Sequence, residues 1–158
     1  MEVNETVLLR SREFLEKEER TIITPVTGSM RPLIRPRKDF VIIRKLDVPL
    51  KKYDTVIYER ADKAVLHRII GITDSGETYI IRGDHSLGSE LVPKEHIFGV
   101  MEGLYHGKRY INCSNCLYRA VSRLIVALHP LMVSGLKIRR RLSKVGFLRK
   151  IYLKIKRT

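Results

Sequence analysis

The stretch AVLHRIIGI, residues 64–72, surrounds a single histidine with apolar and β-branched side chains. A short run enriched in such residues is typical of a strand. Because successive side chains of a strand point to opposite faces, Val65, His67 and Ile69 are expected on one face. The stretch therefore predicts a β-strand that carries a histidine among apolar neighbours.

Similar runs recur on both sides of this stretch, separated by segments rich in turn residues. The runs are TIITPV, DFVIIRKL, DTVIYER, TYIIRG and HIFGVMEGLY, and the separating segments are RPRK, DVPLKKYD, ERADK, TDSGE and GDHSLGSELVP. Short strands with frequent turn signals are typical of antiparallel sheets. We therefore predict a mainly β, curved antiparallel domain over residues 22–111.

The spacing of apolar residues becomes helical on either side of this domain. A rough apolar stripe in residues 1–21 predicts a short N-terminal helix. In residues 112–158, apolar side chains recur every three or four positions among Lys and Arg. This pattern predicts two basic amphipathic helices, with a break between Pro130 and Gly135 because proline interrupts helical hydrogen bonding.

The net charge of +14 is concentrated in the tail. Residues 1–102 hold equal numbers of basic and acidic residues, whereas residues 103–158 hold 14 Lys and Arg and no acid. Such asymmetry favours a polyanionic partner, either an anionic membrane surface or, less strongly, nucleic acid. A helix packed on the β domain with a solvated charged face is the structural alternative.

The sequence offers no secretory signal, because its first residues are charged throughout. Its longest apolar run, Leu124–Leu136, is shorter than the ~18–20 residues of a spanning helix and contains His129 and Pro130. We therefore expect a cytoplasmic protein, peripheral on the membrane. Cys113 and Cys116 form a lone CxxC, which lacks the second ligand pair of a zinc site, so no metal site is expected.

The segment TGSMRP, residues 27–32, presents Ser29 in a frame of glycine and proline. A serine hydroxyl is a weak nucleophile unless a base lies beside it. His67 is a candidate base, and Asp84 follows the next predicted strand, where a hairpin would bring it back toward His67. The alternatives are a core histidine and a simple Gly-Asp turn.

These segments together resemble a known family. Gly28-Ser29-Met30 with Pro32 resembles the nucleophile box of type I signal peptidases and LexA-like self-cleaving repressors. LHRIIGI resembles the second box of the archaeal and endoplasmic-reticulum branch, in which histidine stands where bacterial signal peptidases have a catalytic lysine. RGDHS resembles the later Gly-Asp box of that branch, and LVPKEHIFGVM its closing strand. The resemblance covers about residues 25–105, in order.

The resemblance implies a serine endopeptidase of signal-peptidase-like fold that needs no cofactor. Carried over to this chain, Ser29 is the nucleophile, His67 the general base and Asp84 the residue that orients or charges His67. Gly28 and Met30, together with Pro32, are expected to contact the peptide substrate.

Three departures from the family's pattern qualify these expectations. KDFVII and YDTVIYE occupy the places of two Gly-Asp-x-Val strand starts of the family, but Lys38 and Tyr53 replace the glycines. His85 stands where asparagine is usual. The family's signal peptidases also have a spanning segment before the serine box, whereas no spanning segment is expected in this sequence. Cleavage of secretory signal peptides is therefore not the expected activity. The expected substrate is therefore a peptide, leader or pro-segment. The rival hypothesis is a catalytically idle β binding module whose basic tail binds membrane or nucleic acid.

Overall fold

The computed structural model describes residues 12–15 and 17–155, with side chains described up to residue 135 except at position 74. It is mainly β, with eight antiparallel strands and one long C-terminal helix. The chain forms two compact units, Met1–Val126 and Ala127–Thr158. The predicted β domain, residues 22–111, lies within the first unit, which extends to Val126 in the C-terminal helix.

Six of the eight strands of the described residues follow the predicted runs closely. The eight strands are β1 (Arg20–Ile23), β2 (Asp39–Arg44), β3 (Thr55–Arg60), β4 (Lys63–Thr73), β5 (Thr78–Arg82), β6 (Glu90–Pro93), β7 (Ile97–His106) and β8 (Arg109–Asn112). Every pair of neighbours is antiparallel, in the order β1-β2-β7-β3-β4-β5-β6, and β8 pairs with β7. The prediction of a mainly β, antiparallel domain is thus confirmed.

Tight turns join the central strands. The β3–β4 hairpin turns at Ala61 and Asp62, which both have positive φ, as a two-residue hairpin turn requires. The β7–β8 hairpin turns at Gly107, with φ of 61°, a conformation that costs glycine nothing. The sequence analysis missed strands β6 and β8, because each has only four residues and adjoins segments rich in turn residues.

Two hydrophobic clusters cover the two faces of the sheet. One contains Leu66 together with Met30 and Leu104, and the other contains Ile69 together with Tyr58 and with Val65 at its margin. Val65 and Ile69 therefore share one cluster while Leu66 lies in the other, which confirms the predicted alternation along β4. Because both faces are covered, the residues at the middle of β4 are buried on either side.

Helices were predicted at both ends of the chain, and the C-terminal one is described over a longer stretch than the N-terminal one. Residues 12–15 and 17–18 are helical, and Leu15 is buried in the first cluster; residues 1–11 and 16 lie outside the described residues. The C-terminal helix, Cys116–Ile155, is continuous through Pro130. The predicted break is therefore wrong, because one proline removes a single backbone donor while strong helix formers flank it.

Candidate active site

Ser29 lies in a turn that connects β1 to β2 and is fixed by its neighbours. Arg31 N donates to Gly28 O at 3.2 Å, and Ile34 N donates to Met30 O at 3.1 Å. The side chains of Met30 and Ile34 are each 1% exposed and anchor the turn in the first cluster. Ser29 itself stays partly exposed at the surface of this anchored turn.

His67 lies in the middle of β4 and is 7% exposed. Its Nδ1 lies 3.0 Å from the hydroxyl of Tyr58, and that hydroxyl donates a short hydrogen bond to Glu90 Oε1. Arg60 holds Glu90 in place, with Nη1 at 3.1 Å from Oε1. The imidazole is therefore oriented through a tyrosine by a carboxylate.

The tautomer of His67 follows from this chain of hydrogen bonds. A phenol has one hydrogen, and the carboxylate of Glu90 only accepts, so the Tyr58 hydrogen goes to Glu90. His67 must then supply the hydrogen between its Nδ1 and the Tyr58 oxygen. We therefore assign the proton of the neutral ring to Nδ1, which leaves Nε2 free to accept a proton as a base.

Gly83 shows that Nε2 of His67 faces the Ser29 turn. A Cβ built at Gly83 would lie 2.9 Å from His67 Nε2 and 2.9 Å from the carbonyl oxygen of Ser29, and closer still to Ser86 Oγ. His85, two residues after Gly83, donates its backbone N–H to the same Ser29 carbonyl at 2.7 Å. The structure thus brings Ser29 and His67 together against residues 83–85.

Asp84 contacts a different partner from the one expected. Its two oxygens accept from Arg68 Nε and Nη2, both at 2.8 Å, and its side chain is 2% exposed. Arg68 is fully buried and also donates to Tyr53 O at 2.9 Å and to Ser122 Oγ at 3.0 Å. Asp84 therefore fixes the 83–85 turn through Arg68 and acts on His67 through its charge, which raises the pKa of the imidazole against the effect of burial. The groups next to His67 Nδ1 are the Tyr58 hydroxyl at 3.0 Å and Glu90 Oε1 at 3.6 Å.

The Ser29 hydroxyl lies 3.2 Å from the hydroxyl of Thr27. Among the described hydrogen bonds, Thr27 is the partner of Ser29 Oγ, and none joins Ser29 Oγ to His67. Serine has one side-chain torsion with three staggered positions, so a rotation about χ1 is the movement by which Oγ changes partner. Catalytic hydrogen bonds of free enzymes often form only when substrate binds.

Burial governs the ionisation of this cluster. Burial lowers the pKa of His67 below its ordinary 6.5, although the nearby Glu90 charge acts in the opposite direction. Burial and the hydrogen bond to Glu90 raise the pKa of Tyr58, so the phenol stays neutral. Burial alone would lower the pKa of Arg68, but its hydrogen bonds and charge interaction with Asp84 raise it instead.

The residues expected to touch substrate fall into two groups. The side chain of Met30 is buried in the core, which removes it from contact with substrate. Gly28 is partly exposed, and Pro32 lines an open cleft next to Ser29. We call this the basic cleft; it has a volume of about 340 Å³ and is lined by Arg31, Pro32, Arg35, Pro36, Lys38 and His85.

Sequence reasoning missed four members of the site: Thr27, Tyr58, Arg68 and Glu90. Tyr58 carried a usable signal, because in a β3–β4 hairpin turning at residues 61–62 it lies close to the histidine strand. Glu90 carried none, since the segment before the closing strand was interpreted as a loop. Its contact with Tyr58 depends on β6 pairing with β5, which the sequence pattern did not predict.

The two cysteines stand apart from this site. Both are free thiols, with Cys113 partly buried and Cys116 exposed. Burial raises the pKa of the Cys113 thiol to about 12, so it is protonated at neutral pH. Within the described part of the chain, no three His, Cys, Asp or Glu side chains form a group that could hold a metal ion.

Comparison with known proteins adds no evidence about the fold or the site. No family model matches the chain, and no curated protein matches it in sequence.

Proposed function

We propose that this protein is a serine endopeptidase in which Ser29 is the nucleophile and His67 the general base. One observation carries the proposal: His67 Nε2 and the Ser29 backbone both lie against Gly83, while the other ring nitrogen is held by Tyr58. A nucleophile, a base and a group that orients the base are the parts that acyl transfer requires. The resemblance of TGSMRP, LHRIIGI and RGDHS to signal peptidase boxes supports the same assignment.

In the proposed reaction, His67 acts first as a general base and then as a general acid. Nε2 takes the proton of Ser29 Oγ as that oxygen attacks the carbonyl carbon of the substrate peptide bond. The tetrahedral intermediate collapses when Nε2–H gives the proton to the departing amine, leaving an ester on Ser29. Water then attacks the ester with the same base, which releases the acid product and restores the Ser29 hydroxyl.

Two donors lie beside Ser29 for the oxyanion of that intermediate. The backbone N–H of Ser29 is used by none of the described hydrogen bonds, and the hydroxyl of Thr27 lies 3.2 Å from Ser29 Oγ. Donors fixed before the reaction stabilise developing negative charge most effectively. When Ser29 Oγ turns to the substrate, the hydroxyl of Thr27 becomes free to donate to the oxyanion.

Cleavage of a peptide library tests this proposal. We expect wild-type protein to cut a set of unstructured decapeptides, detected by mass spectrometry, and Ser29→Ala and His67→Ala each to reduce the rate by about 10³-fold or more. Ser114→Ala, which changes an exposed serine between β8 and the C-terminal helix, is the matched control. Cleavage by Ser29→Ala at the wild-type rate would show that another group is the nucleophile.

The rival function is a catalytically idle binding module. The contact of Ser29 Oγ with Thr27 favours it, because a resting enzyme with its hydroxyl on His67 would be better prepared for catalysis. The burial of Arg68 and Asp84 fits both functions, since a buried ion pair fixes the turn whether or not catalysis occurs. The two functions differ in whether Ser29 reacts with a serine-directed probe.

We also propose that the C-terminal helix lies in the plane of an anionic membrane surface. The segment Cys116–Gly135 is long and apolar enough to cross a membrane by length and composition alone. Ser122, however, is 1% exposed and bonded to Arg68, so the first turns are committed to the β domain. The stretch from there to Gly135 rises only about 20 Å, less than the ~30 Å of a bilayer core.

Exposed leucines and basic charge support this orientation. Leu128 and Leu131 are 47% and 71% exposed and lie one helical turn apart on one face. The 14 Lys and Arg of residues 103–158 meet no acid in that stretch, which suits anionic headgroups. Co-sedimentation with phosphatidylserine vesicles, lost in Leu128→Ser/Leu131→Ser and absent with phosphatidylcholine alone, would support the proposal. Equal binding by wild type and the double variant would contradict it.

A further inference from the structure

The basic cleft adjoins the nucleophile through two contacts. His85 lines the cleft and donates its backbone N–H to the Ser29 carbonyl at 2.7 Å. Arg31 also lines it, and its Nε lies 3.4 Å from the position that a Cβ on Gly28 would take. A guanidinium therefore folds back beside the residue that precedes Ser29. A peptide bound across Ser29 would pass next to this cleft.

The cleft holds positive charge that the protein itself does not neutralise. Asp39, an acidic residue adjacent to the cleft, is fully buried, and its two oxygens accept from the guanidinium and the backbone N–H of Arg35, each at 2.7 Å. Arg35 is therefore balanced. Among the described residues, no acidic side chain pairs with Arg31 or Lys38, and both side chains are exposed.

The walls of the cleft are preformed. Pro32 and Pro36 fix their own backbone torsions within the segment that follows Ser29. Arg37 N donates to Pro25 O at 2.8 Å, and Asp39 N donates to Arg35 O at 3.2 Å. A site whose backbone is already ordered loses little conformational entropy when a ligand binds, so less of the interaction free energy is lost to ordering.

We infer that the basic cleft binds a carboxylate of the substrate close to the bond that Ser29 attacks. This inference rests on the proposed function, because it concerns the specificity of the same site. Arg31 and Lys38 are the binding groups, since a guanidinium and an ammonium are the natural partners of a carboxylate. The carboxylate belongs either to a Glu or Asp side chain or to the C-terminus of the peptide, and the two sources have the same chemistry.

Peptidyl fluorophosphonates test the inference at Ser29 directly. Serine attack on the phosphorus forms a P–O bond and expels fluoride, so labelling reports binding and attack together. In the first series of probes, Glu is placed in turn at each of the four residue positions nearest the phosphorus, and in the second series Gln takes its place. A third series compares probes that end in a free C-terminal carboxylate with probes that end in the amide. We expect about 10-fold faster labelling with the carboxylate at one position, and a smaller ratio at high salt. The series that shows the preference identifies the source.

The decisive comparison is the ratio of the two labelling rates within each variant. In the cleft variant Arg31→Gln/Lys38→Gln, the ratio should fall to about 1. The control variant Lys45→Gln/Lys108→Gln removes equal charge from exposed positions outside the cleft, and its ratio should stay near 10. A ratio of 1 in wild type, or a ratio that survives in the cleft variant, overturns the inference while leaving Ser29 as nucleophile. Failure of a neutral fluorophosphonate to label Ser29 overturns the proposed function as well.

Discussion

The chemistry of this site is decided by a few side chains around His67. The Tyr58 hydroxyl donates its hydrogen bond to Glu90, so the ring proton of His67 is assigned to Nδ1. Nε2, on the side of Gly83 and Ser29, is then the basic nitrogen. Because burial keeps the pKa of His67 below its ordinary value, the ring is neutral at pH 7 and able to accept a proton.

The Glu90 charge gives a pH test of this arrangement. Glu90 favours the protonated ring and so raises the pKa of His67, against the stronger effect of burial. Glu90→Gln should therefore move the acid limb of the Ser29 labelling rate to lower pH. It should also lower the plateau by about 10-fold, because the imidazolium formed during attack loses its carboxylate.

A matched variant should act in the opposite direction. The charge of Arg60 lowers the pKa of His67, so Arg60→Gln should move the acid limb slightly to higher pH. Labelling rates measured from pH 5 to 9 give both limbs. Limbs that coincide in wild type and both variants would mean that His67 is not the base.

Gly83 gives a second test at the residue scale. A Cβ at this position would lie 2.4 Å from Ser86 Oγ and 2.9 Å from both His67 Nε2 and the Ser29 carbonyl oxygen, so these three groups cannot all keep their positions. Gly83→Ala should reduce the labelling rate by about 10²-fold, the effect of a displacement near 1 Å between reacting groups. Gly88→Ala, which meets no atom within 4 Å, should label normally. Equal rates in the two variants would contradict the packing of Ser29 against His67.

Strand β4 matters as an element because it supplies two functional residues that point to opposite faces. His67 faces the Tyr58 side, while Arg68 pairs with Asp84 and reaches Ser122 on the C-terminal helix. The strand thereby links the candidate base, the 83–85 turn and the first turns of the helix. One element therefore couples the site to the stability of the first unit.

Removing the charge of Asp84 should be costly for this reason. Asp84→Asn leaves the buried guanidinium of Arg68 without its counter-charge, which should lower the free energy of unfolding by about 3–5 kcal/mol. Glu59→Gln, which breaks a partly exposed ion pair with Arg12 at 3.0 Å, should cost less than about 1 kcal/mol. Urea denaturation followed by circular dichroism measures both. Similar values for the two variants would argue against a structural role for the Arg68–Asp84 pair.

The sequence was most informative where a pattern reflects local physics. The alternation of AVLHRIIGI predicted β4 and its faces, because burial on two sides selects side chains with period two. It did not predict that Asp84 pairs with Arg68, because that contact depends on the register of β4 against β5, which contains a bulge between Ile69 and Gly71. The Glu90 contact depends likewise on the pairing of β5 with β6.

At the scale of the whole molecule, charge is divided along the chain. Residues 1–102 are neutral in sum, and residues 103–158 carry the entire net charge of +14. The described β domain holds the candidate active site, and the basic helix holds the exposed leucines. The proposed peptidase, with substrates presented at an anionic surface, would use both parts.

The central claim is that Ser29 is a nucleophile activated by His67. The most direct measurement is the rate at which a neutral fluorophosphonate labels the full-length protein, located by peptide mass spectrometry between pH 5 and 9. We predict labelling at Ser29, with a midpoint below pH 6.5 and a plateau from about pH 7, that is lost in Ser29→Ala and in His67→Ala. Absence of labelling at Ser29, or unchanged labelling in His67→Ala, would contradict the account.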